Sequence, residues 1–308
     1  MPTVPILSVV VTVVSDTSEQ ADTSNLEGCL ESLQNQINPP PMEVLVTCDA
    51  RLAGVEKLRQ RFPDVNFLVV EKLRTRRAGP GREHHDELRG LGIRQAQAPL
   101  VALLEDHGRA DPDWSAELVK AHEQPYAAIG GAMENGINRP LNWAVYFEDF
   151  GRYQNPVTRG PSAFVSDANV CYKRAALERV ASSWADSYSE ARVHAALVTE
   201  GEGLALSPDV VVYQHRLNLR FGPALVERFV WGRSYAAQRS TTVTISRRFV
   251  FAALCPLLPV VLFLRKFKNV LHTRRNRAAF VWASPLTALL DVAWSCGEFV
   301  GYCTGRAG

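Results

Sequence analysis

The chain has 308 residues, room for one large or two small domains. Apolar residues make up 46% of it, enough for a sizeable core, and a formal net charge of +2 gives no global signal for nucleic-acid binding. Six cysteines, at positions 29, 48, 171, 255, 296 and 303, form no Cys-x-x-Cys pair, which excludes a zinc site built on that spacing and a disulfide framework.

The run Ile6 to Val14 is apolar and β-branched with no basic flank before it. It reads as a strand and not as a signal peptide, because short continuous apolar runs mark the central strands of parallel sheets. Ser15 to Ser24 is a polar loop. Leu26, Leu30 and Leu33 then recur at helical spacing, and Asn38 with Pro39-Pro40-Pro41 stops that helix. Glu43 to Thr47 is a second strand ending at Cys48-Asp49, Val55 to Phe62 a helix, and Asn66 to Val70 a third strand. Strand, helix, strand, helix, strand is the layout of a doubly wound α/β domain.

Residues 71–86 read as a loop and Glu87 to Ala96 as a helix. Leu100 to Leu104 is a strand that runs into Glu105-Asp106-His107. Pro112 to His122 reads as a helix capped by Asp111, with proline at its first position. Residues 125–165 mix short apolar runs with Gly, Asn and Pro. Ala175 to Ala181 and Glu190 to Val198 read as helices, and Val210 to Tyr213 as the last strand, ending at Gln214-His215.

Beyond His215 the character changes. Leu225 to Gln238 is an amphipathic basic helix. Phe249 to Leu264 carries no charge but holds Pro256 and Pro259, and Ala278 to Tyr302 is a second apolar stretch interrupted by Asp291 and Glu298. From Arg220 to Arg277 there are twelve Lys/Arg against one acid, Glu227. Basic residues flanking apolar helices fit the cytoplasmic leaflet of a membrane, so membrane lipids are an expected partner. The first stretch is short for a straight span of about 20 residues. Spanning, re-entrant and interfacial placements all stay open, as does a hydrophobic hairpin packed on the soluble domain. The expected division is a nucleotide-binding and catalytic domain over 1–217, a juxtamembrane helix region over 218–247 and a membrane-associated segment over 248–308.

Ligands of open α/β sheets bind at the carboxyl ends of strands. Those ends carry Ser15-Asp16, Asp49, Glu105-Asp106-His107 and His215. Each alone is a common cap or turn residue. Three consecutive metal-competent side chains at 105–107 are the sharpest feature, and their oxygen and imidazole ligands suit Mn²⁺ or Mg²⁺.

In this order the segments resemble the family 2 glycosyltransferases, which have the GT-A fold. Leu7-Ser8-Val9-Val10-Val11-Thr12 is similar to the family's opening strand and Asn25 to Leu33 to its first helix. Glu43 to Asp49 is similar to a strand ending in Asp-Asp. Leu103 to Trp114 resembles the Asp-x-Asp segment and the Pro-Asp-Trp helix start after it. Asp167 to Leu177 resembles the acceptor-side segment, and Trp231 to Ala236 a juxtamembrane motif of membrane-associated members.

The resemblance implies roles. Asp49 meets the nucleotide base, Arg89 helps hold the nucleotide, and Thr12 and Ser15 line the nucleotide-sugar site. Asp106 meets the ribose or the metal, with Glu105, His107 and His215 as further metal ligands. Asp167 and Asn169 lie on the acceptor side, and Glu190 is the general base. The sequence departs from the pattern with His at 107, Glu at 105, Cys at 48, Gly at 90 and Arg at 192, which puts the metal's identity in question.

The implied reaction is inverting transfer of a sugar from a nucleotide-diphosphate donor to a lipid-linked or cell-envelope glycan acceptor. One rival is a sugar-nucleotide nucleotidyltransferase, which needs a Gly-rich phosphate loop after the first strand; residues 15–25 hold no glycine. The other is a non-catalytic, transferase-like membrane scaffold.

Overall fold

The computed structural model describes residues 4–17, 23–76 and 82–306. The loops expected over 15–24 and 71–86 therefore lie partly outside the described residues, at 18–22 and 77–81.

The first half is the expected α/β winding. Strands β1 (Leu7–Thr12), β2 (Met42–Asp49), β3 (Val65–Val70) and β4 (Leu100–Glu105) alternate with helices α1 (Ser24–Gln34), α2 (Val55–Arg61) and α3 (Glu83–Gln95). They pair in parallel, β3 on β2, β2 on β1 and β1 on β4. Alternation along each strand splits the core between two faces. Leu7, Val9 and Val11 of β1 pack with Ala102 and Leu104 of β4 on one face, while Val10 packs with Val101 and Leu103 on the other.

The second half adds strands that sequence periodicity did not reveal. They are β5 (Gly108–Ala110), β6 (Ala128–Asn135), β7 (Gly160–Pro161) and β8 (Asn169–Lys173); β9 (Leu204–Gln214) contains the last strand expected over Val210 to Tyr213 and begins six residues earlier. Among the described residues the sheet has nine strands in the order β3-β2-β1-β4-β8-β6-β9-β5, with β7 paired to β9. β8 runs antiparallel to β4 and β6, whereas β6 and β9 run parallel. Helices α4 (Trp114–Ala121) and α5 (Pro140–Asp149) cover one face, and α6 (Arg174–Arg179) and α7 (Glu190–Thr199) the other. α4 begins two residues later than its proline suggests: Asp113 stands at its cap, and Asp111 instead accepts from the Tyr213 hydroxyl at 3.2 Å.

The C-terminal helices are α8 (Phe221–Ser240), α9 (Ile245–Leu254), α10 (Leu258–Thr273) and α11 (Arg277–Thr304), with a 3₁₀ turn at Cys255–Leu257 joining α9 to α10. The segment beyond 246 does not stand apart from the catalytic domain. Val270, Phe280, Ala283 and Leu290 belong to the same core cluster as Leu7 and Phe147. The Phe280 ring meets Phe147 edge-on, with centroids 5.0 Å apart. α11 runs against α8 at backbone distance, since a Cβ on Gly297 would sit 2.0 Å from the Phe229 carbonyl oxygen and one on Gly232 2.2 Å from that of Trp294. Only glycine permits that approach.

Candidate active site

Parallel strands place the ends of β1, β2 and β4 side by side: Thr12 lies in register with Thr47 on one flank and Glu105 on the other. The residue after β4 closes this edge. Asp106 is fully buried; its Oδ1 accepts the Val14 N–H at 3.0 Å and its Oδ2 the Ser15 hydroxyl. Asp106 N–H in turn donates to the Thr12 carbonyl at 3.0 Å. A buried carboxylate needs such donors. Ser15 and Asp106, expected to line the donor site, therefore form one unit.

Arg89, projecting from α3, is the centre of the charge network. It is 2% exposed, and its Nη2 lies 2.7 Å from Glu105 Oε1 and 3.2 Å from Asp167 Oδ2, with Asp86 Oδ1 3.5 Å from Nη1. Burial works against the guanidinium charge, but three acids hold its pKa above the ordinary value. The other oxygen of Glu105 faces His107 Nε2 at 3.2 Å. Burial lowers the imidazole and raises the carboxyl, yet Asp106 and Glu105 together push the imidazole pKa up, and His107 with Arg89 holds the Glu105 carboxyl down. His107 Nδ1 is buried without a hydrogen-bond partner, 3.5 Å from Asp106 Oδ1.

The His107 carbonyl accepts the His215 N–H at 2.7 Å, which joins the ends of β4 and β9. The His215 ring lies on Gly136, where a Cβ would come within 2.1 Å of Nε2. Burial and nearby Arg109 lower this imidazole to about 4.

On the far side of Arg89, the Asp167 N–H donates to Glu190 Oε2 at 3.2 Å. Glu190 opens α7, and burial together with the Asp167 charge pushes its carboxyl up to about 8. Glu105, Arg89, Asp167 and Glu190 thus form a continuous line from the expected donor side to the expected acceptor side.

Three expected residues sit differently. Asn169 is fully buried; its Oδ1 accepts the Trp114 indole N–H at 2.9 Å, and its Nδ2 donates to the carbonyls of Ala132 and Val210, each at 3.0 Å. These bonds tie β8 to β6, β9 and α4. Thr12 is 1% exposed, its hydroxyl 3.3 Å from that of Thr47 and its carbonyl bonded to the Asp106 N–H. Asp49 stands at the end of β2 but is ion-paired with Arg51 at 2.8 Å. Burial raises its carboxyl, yet the hydrogen bonds from Arg51 hold it below the ordinary value.

Sequence reading missed a second cluster beside Asp49. His84 and His85 Nε2 lie 3.0 and 2.8 Å from Asp16 Oδ1, and Arg76 bonds Asp16 and sits 3.7 Å from Asp49. α3 begins at Glu83, four residues before the expected start, and that extra turn carries both histidines. The consecutive histidine pair was the available signal.

These two places test the fit of a divalent ion. Ligand atoms of Asp16, His84 and His85 all lie within 4.8 Å of one another, so the three can hold one. At the strand end the His107 ring lies between two carboxylates, its orphaned Nδ1 3.5 Å from Asp106 and its Nε2 3.2 Å from Glu105, which are nitrogen and oxygen donors of the kind Mn²⁺ accepts, while His215 meets His107 through its backbone N–H.

Comparison with known proteins agrees with this geometry. A search of curated proteins finds no match. Among solved structures, the mannosyltransferase PcManGT from Pyrobaculum calidifontis, in complex with GDP-Man and Mn²⁺, superposes with a TM-score of 0.51 at 16% identity, over 94% of this chain and 86% of that one. S. aureus TarS 1-349, in complex with UDP-GlcNAc, has a TM-score of 0.46 at 13% identity, over 72% of this chain and 65% of that one. The likeness to PcManGT is one of fold, the GT-A arrangement. The profile of glycosyl transferase family 2 matches residues 8–181, which hold the ends of β1, β2 and β4, Arg89, the 105–107 cluster and Asp167. With more than half of its length matched and the sheet edge built as described, the chain belongs to glycosyl transferase family 2.

Proposed function

We propose that the protein is an inverting glycosyltransferase that moves a sugar from a nucleotide-diphosphate donor to a hydroxyl or phosphate of a lipid-linked or cell-envelope glycan. It works at the cytoplasmic face of the membrane, with residues 1–217 carrying donor binding and catalysis. The observation that carries this reading is the placement of Glu190. Its half-buried carboxylate lies against the Asp167 N–H, across Arg89 from Glu105 and His107, with a pKa of about 8. A general base works best with a pKa near the working pH.

Glu190 accepts the acceptor's proton, and Asp167 positions it. Arg89 keeps the two acidic groups in place. Ser15 and Asp49 face the nucleotide, with Asp106 holding Ser15 from beneath, and the cluster of Asp16, Arg76, His84 and His85 extends that side. Glu105, His107 and His215 would hold Mn²⁺ or Mg²⁺. When bound, such an ion neutralises the charge that develops on a diphosphate leaving group. PcManGT, solved with GDP-Man and Mn²⁺, supports a donor of this class and a divalent ion.

The test is a screen of nucleoside diphosphates for thermal stabilisation in the presence of Mn²⁺, followed by transfer from the matching sugar nucleotide to a polyprenyl-phosphate acceptor. A stabilising diphosphate with turnover that disappears in Glu190→Gln supports the reading. Binding without turnover by the unaltered chain favours the scaffold alternative.

A further inference from the structure

The helices α9–α10 and α11 are each long and apolar enough to cross a membrane: the runs have 29 and 28 residues and contain 18-residue windows of mean hydropathy 1.9 and 1.3. Their contacts decide whether they do. The connector end is tied to the catalytic domain. Asn269 Nδ2 donates to the Gly151 carbonyl at 2.6 Å, Gln154 Nε2 to Thr273 Oγ at 3.0 Å and Asn276 Nδ2 to Gln154 Oε1 at 3.1 Å, while Arg275 pairs with Glu134 at 2.6 Å. The middle is tied as well: Lys266 of α10 bridges Asp291 of α11 and Glu148 of α5, the latter at 2.8 Å.

The far end of α11 follows α8, with Gly297 against Phe229 and Gly301 against Arg233. At that level α8 still touches the start of α3. Arg82 stacks on Trp231 at 4.7 Å, and the Ser234 hydroxyl donates to Glu83 at 3.4 Å. From 277 to 298 is about 32 Å at helical rise, the thickness of a hydrocarbon core of about 30 Å. One soluble body holds both ends and the middle of that stretch.

The geometry therefore points to a hairpin that lies flat, in the plane of a bilayer surface with anionic headgroups, and does not cross it. This rests on the membrane association proposed above and adds its geometry. The outward side carries the required chemistry. Phe249, Leu254, Leu257, Val260 and Leu264 are 65%, 52%, 62%, 60% and 56% exposed, a surface far too apolar for water. Between residues 245 and 290 there are eight Lys/Arg and no acid, and Arg247, Arg265, Lys268 and Arg274 are exposed. An apolar face rimmed by cations is the signature of a helix lying at an anionic interface.

The test uses the full-length protein and vesicles of phosphatidylcholine and phosphatidylglycerol in equal parts. Flotation with these vesicles is expected, at least about tenfold stronger than with phosphatidylcholine alone. The double variant Leu257→Asp, Val260→Asp should lose it with an unchanged melting temperature, since both side chains face outward. A His272→Cys chain that also carries Cys296→Ser and Cys303→Ser, bound to intact vesicles and labelled from outside with an impermeant maleimide, should react at the connector as fully as after detergent. Protection of that cysteine until detergent is added would overturn the flat placement and leave membrane association standing. No flotation with either vesicle would overturn both.

Discussion

Arg89 Nη2 lies 3.2 Å from Asp167 Oδ2, and through that contact the expected donor half of the cleft is held to the expected acceptor half. The same nitrogen is 2.7 Å from Glu105. Removing the guanidinium leaves Glu105 and Asp167 uncompensated in a buried place. Arg89→Ala should destabilise the fold by about 3–5 kcal/mol, read by urea unfolding. Arg89→Lys keeps the charge but not the fork, and should recover most of the stability while turnover stays low. A stable, active Arg89→Ala would contradict a bridging role.

Glu190 sets a pH dependence. Its carboxyl, raised by burial and by Asp167 to about 8, is protonated below that pH and cannot accept a proton. Turnover should climb as pH rises through about 8 and level above it. Glu190→Gln should lower turnover by roughly two to four orders of magnitude, abolish that limb and leave donor affinity nearly unchanged. The stability contribution runs the other way. It is complete below the carboxyl's ordinary value and is lost as pH rises through the native one, because the unfolded chain ionises first.

The strand-end cluster predicts a metal effect. His107→Ala should weaken Mn²⁺-dependent nucleotide binding in titration calorimetry, and chelator should abolish binding by the unaltered chain. Chelator-insensitive binding that also survives His107→Ala would remove the metal role from this cluster. The matching variant His84→Ala then tells whether the ion belongs to Asp16, His84 and His85.

Asn169 separates a structural from a catalytic reading. Asn169→Ala strands the Trp114 indole N–H and two strand carbonyls in the interior. It should cost about 1–3 kcal/mol in unfolding and leave turnover per folded molecule unchanged. A stable variant with lost turnover would return Asn169 to the acceptor side.

The winding of the first half was legible because β1 and β4 are short apolar runs with clear breaks, and because Glu105-Asp106-His107 follows one of them directly. β6 and β8 were hidden for the opposite reason. β6 contains Gly130-Gly131 and β8 only five residues, so neither gives a period, and burial alone makes them strands. The charge network was half legible. Arg89 and Glu190 came from motif order, but nothing in the spacing brings Arg89 and Asp167 together. For α11 the sequence held a signal that hydropathy concealed. Asp291 and Glu298 inside an apolar run need partners, and in the fold Lys266 and the Trp294 indole provide them.

The placement of α11 also fixes an order of events during synthesis. Leu7 and Leu290 share one core cluster, so β1 and α11 complete the same interior although most of the domain lies between them in sequence. Domains ordinarily fold from the N-terminus as they emerge. Here the face of α5 around Phe147 stays uncovered until α11 has emerged and brought Phe280 against it. A nascent chain that has not yet delivered α11 therefore presents that aromatic face to chaperones, to the bilayer or to its neighbours, and the catalytic sheet can reach its final packing only once α11 has joined it.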